Sequence, residues 1–223
     1  MLRYLLLAMT FSFFSFANIP PNTYSLPLQQ TQTTTYDAQG RVVSKTDFKG
    51  ETSTYTYDIN DRVTSIGYAD GSVDTFSYDA QGRIKSVSVT GAQGTTQTTT
   101  YTYDVMGRLT LETQPTGATL EYSYDKAGNL LTLIATNALG DSSTTTYTYD
   151  SLNRLSSVTD NTGEVTSYSY DAVGNQIAIS HANGNKALYT YDSLNRLTNI
   201  THQNTQGTTL AEFYYFGTFT CGA

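Results

Sequence analysis

Tyrosines and small polar residues alternate in short runs along the chain: Tyr55-Thr56-Tyr57, Tyr101-Thr102-Tyr103, Tyr122-Ser123-Tyr124, Tyr147-Thr148-Tyr149, Tyr168-Ser169-Tyr170 and Tyr189-Thr190-Tyr191, with Phe76-Ser77-Tyr78 differing by one substitution. A period of two sends the aromatic rings to one face of an extended chain and Thr or Ser to the other, so each run predicts a β-strand with one packed face. An Asp follows each run, at Asp37, Asp58, Asp79, Asp104, Asp125, Asp150, Asp171 and Asp192, with spacings of 21, 21, 25, 21, 25, 21 and 21 residues. That regularity marks a tandem array of one supersecondary unit.

Each Asp opens a four-residue turn whose fourth place holds Gly40, Asp61, Gly82, Gly107, Gly128, Asn153, Gly174 or Asn195. Asp at the first position accepts local backbone N–H bonds, and Gly, Asn and Asp tolerate positive φ, which predicts three-residue hairpin loops with a left-handed bulge residue. The carboxylates are therefore expected as structural turn residues, because eight equivalent copies fit a ladder better than a single catalytic site. The residue after the left-handed position is Arg41, Arg62, Arg83, Arg108, Arg154 or Arg196 in six units and Asn129 or Asn175 in two, and it should face the Asp across the hairpin.

The Tyr before each turn, Tyr57, Tyr78, Tyr103, Tyr124, Tyr149, Tyr170 and Tyr191, forms the structural ladder, with Val42, Val63, Ile84, Leu109, Leu130, Leu155 and Leu197 expected opposite this row of positions. A second apolar position (Ile66, Val87, Leu133, Val158, Ile179, Ile200) lies three residues further on, which on a flat strand is the wrong face. Either a second bulge restores the phase or these side chains cover another layer. A second turn closes each unit at Gly50, Gly71, Gly117, Gly163 and Gly184, and the two longer units place their extra residues around Gly91 to Thr96 and Asn137 to Ser143. Length variation thus falls on one sheet edge, the place to look for a partner site.

The expected fold is all-β: about sixteen strands of tandem antiparallel β-hairpins in one curved, open sheet. The array runs over 31–216 as eight hairpin units and a partial ninth, with an off-pattern tail at 217–223 and a linker at 18–30. Residues 1–17 read as a signal peptide, since Arg3 precedes the apolar stretch Leu5 to Phe16 and Ser15-Phe16-Ala17 puts small residues at the cleavage positions. The chain is then exported, to the periplasm, the medium or the cell surface, with no membrane insertion after cleavage.

Composition narrows the chemistry. The chain carries 19 Tyr and no Trp, and a phenol can occupy a half-wet sheet face without a deep core. A formal charge of -7 disfavours nucleic acid and anionic membranes as partners. Cys221 is the single cysteine, so no intramolecular disulfide can form. His181 and His202 fall at the same offset in successive repeats, too few for a zinc site. No catalytic, cofactor-binding or metal-ligating set emerges, and a non-enzymatic protein is expected.

The motif Tyr-x-Tyr-Asp-x-x-Gly-Arg-Leu, as in Tyr101 to Leu109, resembles the YD repeat of Rhs proteins, teneurins and the C component of insecticidal Tc toxins. That resemblance implies a section of a hollow β-shell, in a family whose members enclose cargo and are proposed to bind carbohydrate or cell surfaces. The sequence departs from the family in lacking the shell-closing core segment and a cargo domain, and its ninth unit, Phe213-Tyr214-Tyr215, has Phe216 where Asp belongs. A shortened YD array is expected, acting as a structural scaffold with unpaired edges at Thr33 to Tyr36 and near Phe213 to Phe216. Such edges imply self-association or pairing with a longer YD-repeat protein. The alternative is a glycan- or cell-surface-binding module.

Overall fold

A computed structural model describes residues 22–25 and 31–215, so the expected signal peptide and Cys221 lie outside the described residues. The described residues are all-β, with eighteen strands and no helix. The chain divides into two compact units, one ending at Thr100 and the other beginning at Tyr101.

The first unit holds β1 (Asn22–Ser25), β2 (Thr31–Tyr36), β3 (Val42–Thr46), β4 (Thr52–Tyr57), β5 (Val63–Gly67), β6 (Val73–Tyr78), β7 (Ile84–Thr90) and β8 (Thr96–Tyr103) as far as Thr100. The second holds β9 (Leu109–Thr113), β10 (Thr119–Tyr124), β11 (Leu130–Thr136), β12 (Ser142–Tyr149), β13 (Leu155–Thr159), β14 (Val165–Tyr170), β15 (Gln176–Ser180), β16 (Lys186–Tyr191), β17 (Leu197–Gln203) and β18 (Thr209–Tyr214). Within each unit the strands pair antiparallel with their neighbours in sequence, a meander that does not close on itself.

The odd spacing of apolar residues is resolved by a bulge. Tyr55 faces Ile66 and Thr56 faces Ser65, yet Tyr57 faces Val63, which leaves Thr64 as the extra residue. Thr56 Oγ1 lies 2.8 Å from the hydroxyls of both Thr64 and Ser65. Val63 and Ile66 consequently point to the same face, under Tyr57 and Tyr55. The register shifts identically at Thr35/Tyr36, Ser77/Tyr78, Ser123/Tyr124, Thr148/Tyr149, Ser169/Tyr170 and Thr190/Tyr191. No second layer is needed to explain these side chains.

The aromatic face is half-buried and the Thr/Ser face is largely exposed, as the alternating burial of β4 and β14 shows. Ala187, on β16, is the single buried hydrophobic residue among those described. Stability therefore rests on backbone ladders and cross-strand pairs, with no deep core between layers.

Three expectations change. The segment 18–30 contains strand β1, which pairs with β2 from Asn22↔Thr34 to Ser25↔Thr31, so the Thr33 to Tyr36 strand is not an unpaired edge. The four extra residues of each long unit do not enlarge a loop. They lengthen the hairpin, giving five cross-strand pairs in β7/β8 and β11/β12 where β3/β4 has three, while the turn stays the same. Finally, Tyr214 faces Asn199 as Ser167 faces Ser157, and Tyr215 N donates to Thr198 O at 2.9 Å. Tyr215 thus holds the place of Tyr168, the first aromatic of its run, and the position of the ninth Asp falls beyond the described residues rather than at Phe216.

Candidate functional site

The polar chemistry concentrates on the edge formed by the Asp turns. Asp37 N donates to Arg41 O at 2.9 Å and Gly40 N to Asp37 O at 3.0 Å, and every Asp turn repeats this pair. The left-handed residues include Asp61, Asn153 and Asn195 at φ 59–60°, beside glycines such as Gly107 at φ 86°. One carboxylate oxygen of Asp37 accepts Gln39 N–H and Arg41 N–H at 3.0 and 2.9 Å, and the other accepts Arg41 Nε–H at 2.6 Å. Six turns have such an Asp–Arg pair, and in the other two Asn129 and Asn175 donate to Asp125 and Asp171 at 2.8 and 2.9 Å.

All eight carboxyls sit below their ordinary range. At Asp58 and Asp125 the leading cause is the side-chain bond from Arg62 or Asn129, and at Asp104, Asp150 and Asp192 it is the backbone N–H of the facing Arg. At Asp37, Asp79 and Asp171 burial pushes upward most strongly, but the combined hydrogen bonds outweigh it. A carboxylate that already accepts three N–H bonds has little hydrogen-bonding capacity left for a further partner.

The same residues join each hairpin to the next. Tyr57 hydroxyl donates to Val42 O at 2.7 Å, and Tyr78, Tyr124, Tyr149, Tyr170 and Tyr191 donate to Val63, Leu109, Leu130, Leu155 and Gln176 carbonyls at 2.7–3.0 Å. The guanidinium of the earlier hairpin lies over the ring of the later Tyr: Arg41 on Tyr57, Arg62 on Tyr78, Arg108 on Tyr124 and Arg154 on Tyr170, at 4.4–4.8 Å. Its free nitrogen reaches the later turn, as in Arg41 Nη1 to Asp61 Oδ1 at 2.6 Å and Arg108 Nη1 to Asp125 O at 2.9 Å. Asn129 and Asn175 make the equivalent reach to Asn153 and Asn195. Where it is packed this way the Arg side chain is about one quarter exposed, whereas Arg196 is 63% exposed.

These links between hairpins were not legible in the sequence, because donor and acceptor stand 15 or 19 residues apart at the far ends of two strands joined by a turn. The nature of the second turns was also missed. They repeat the first turn's bonds, with Asp47, Asn137, Asp160 and Asn204 opening and Gly50, Gly140, Gly163 and Gly207 closing. The Asx-x-x-Gly spacing shared with the first turn was the available signal.

The second-turn edge holds the clefts. In the first unit one is lined by Lys45, Asp47, Glu51, Tyr55, Tyr68, Asp70 and Asp74, and in the second another lies between Asp160, Glu164, His181 and Asn185. Tyr68 stands where other second turns place Asx, and its hydroxyl donates to Asp74 Oδ2 at 2.8 Å. Burial and that carboxylate push the phenol up to about 12. The two histidines are not equivalent: His181 opens a turn, while His202 lies within β17, edge-on to Phe213 with ring centres 6.1 Å apart.

These features define a class, a tandem β-hairpin array whose repeats are held by Asp–Arg turns and Tyr-to-carbonyl links. The chain belongs to the RHS Repeat family, whose profile matches seven overlapping segments: 36–73, 60–96, 78–119, 107–142, 124–165, 149–186 and 170–209. Among solved structures it is similar to TcdB2-TccC3, with a TM-score of 0.72 at 17% identity over 82% of this chain and 12% of that one. The Photorhabdus luminescens Tc holotoxin pore carrying a TccC3 mutation gives 0.71 at 17% identity, with the same coverage of 82% and 12%. TcdB2-TccC3-TEV gives 0.65 at 14% identity over 87% of this chain and 14% of that one. The chain therefore spans about an eighth of the length of the structures it matches, and the likeness is one of fold. No curated protein matches it.

Proposed function

We propose that this chain is a non-enzymatic, exported structural scaffold, a section of RHS-type β-wall that associates with itself or with a longer YD-repeat array. The observation that supports it is the consumption of the repeated polar groups by the fold: Asp carboxylates by turn amides and Arg, Tyr hydroxyls by the preceding hairpin's carbonyls. All three matched structures contain TccC3, two of them with TcdB2, and by analogy the partner proposed here is another hairpin array. On β18, Leu210, Phe213 and Tyr214 are 53–62% exposed, a surface suited to sheet extension.

Counting along β18 from the Tyr215 N–H bond to Thr198, the amide of Glu212 faces away from β17. Glu212→Pro should remove that outward donor and reduce association in sedimentation velocity, and an unchanged distribution would count against pairing through this edge. Export is tested separately, by fractionating cells that express the chain with and without residues 1–17.

A second reading, a carbohydrate- or cell-surface-binding module, is favoured by the cleft in which Tyr55 and Tyr68 stand beside Asp70 and Asp74. Phenol rings can stack on sugar faces while carboxylates accept from hydroxyls. A glycan array probed with the chain and with Tyr68→Ala tests it. Binding lost in the variant would support the module.

A further inference from the structure

The two edges of the second unit differ in what they hold out to solvent. At the tips of its Asp turns stand Val105, Met106, Leu152, Val173 and Leu194, between 67% and 103% exposed. The middle positions of such turns need no apolar side chain, and two of the three Asp turns in the first unit use Gln39 and Gln81 there, the third carrying Ile59 at 98% exposure. The second-turn tips of the same unit are mostly small or polar (Thr116, Thr162, Asn183, Gln206), with Leu139 the large exception. Single exposed aliphatics are ordinary, but four of five successive Asp turns carrying one makes an apolar row.

Beneath the row most of the charge is compensated: Asp104, Asp150 and Asp192 each pair with an Arg at 2.7 Å, while Asp171, below Val173, is bound by Asn175 and keeps its charge. On the other edge Asp141, Asp160 and Glu164 have no ion pair among the described residues. Two copies therefore meet with less repulsion through their Asp-turn edges than through their opposite edges. Successive tips stand two strands apart, roughly 10 Å, and a surface certain to match that period is the same edge of another copy. A net charge of -7 argues against an anionic bilayer in its place.

We infer that the Asp-turn edge of the second unit is a lateral interface, where the row Val105–Met106, Leu152, Val173 and Leu194 of one copy packs two-fold against the same row of a second copy. Such an isologous contact is distinct from the strand pairing proposed above and leaves the strand edges free.

The test uses the full chain carrying Glu212→Pro, so that strand pairing is silenced, at about 10 μM in sedimentation velocity, a range that reads micromolar association. This chain should still dimerise. Adding Leu152→Gln, Val173→Gln and Leu194→Gln should raise the dimer dissociation constant at least about tenfold with an unchanged circular dichroism melt, whereas Leu139→Gln on the opposite edge should not. A photo-crosslinker at position 173 should capture the partner's Asp-turn edge. A monomeric Glu212→Pro chain, a triple variant that dimerises like its parent, or capture of the Leu139 edge or of added lipid vesicles would overturn the interface. Failure of strand pairing alone would appear differently, as no effect of Glu212→Pro on the parent.

Discussion

At Gly128 the backbone turns at φ +96° with open space where a Cβ would stand, so a substitution there measures backbone strain with little steric interference. Gly128→Val should cost about 1–2 kcal/mol in chemical denaturation, because a branched side chain resists positive φ. Asn153→Gly suits the left-handed backbone at φ 59° but removes the acceptor of the Asn129 bond, so it should cost less than Gly128→Val without being stabilising. Equal stability of Gly128→Val and the parent would refute the left-handed turn. Tyr170 separates two contributions: its hydroxyl donates to Leu155 O at 2.9 Å and its ring lies 4.5 Å from the Arg154 guanidinium. Tyr170→Phe should lose about 0.5–1.5 kcal/mol, and Tyr170→Leu measurably more as the cation–π contact also goes. If the two variants melt together, the ring contact contributes nothing. Turn residues such as these were legible from their identities alone, because Asp, Gly and Asn act on their own backbone within four residues.

At the scale of the hairpin, legibility stopped where strands had to be aligned. The spacing of Val63 and Ile66 left open a bulge or a second layer, and it is the Thr64 bulge that decides, through cross-strand partners a single strand does not reveal. The extra residues around Asn137 likewise looked like a longer loop because their turn residues are those of any loop, yet they lengthen β11 and β12 beyond the β3/β4 hairpin and leave the turn unchanged. Deleting the facing pairs Ile134–Thr144 and Ala135–Ser143 should therefore convert a long unit into a short one that still folds, since an even step preserves which face each side chain occupies. Deleting only Ala135 and Ser143 inverts the turn relative to the sheet and should lower the thermal midpoint far more. Should both deletions melt alike, register parity would not matter in this array.

For the molecule as a whole, the eight turn carboxylates act in concert with pH. Each is held below its ordinary value of 3.8, so the folded chain binds fewer protons than the unfolded one through that range. The stability they contribute is present above about pH 4 and is lost as pH falls through the depressed values. Thermal midpoints followed by circular dichroism should be flat from about pH 7 to 5 and decline below about pH 4, and a flat profile down to about pH 2.5 would refute the role of these bonds. The Tyr links also have a sense of direction. Tyr170 bonds back to Leu155, Tyr149 to Leu130 and Tyr57 to Val42, and in each case the acceptor comes earlier in the chain. A polypeptide emerging from a ribosome or a translocation channel N-terminus first would find, for every new hairpin, a docking surface already made, so the array can be laid down in order of synthesis without waiting for its far end.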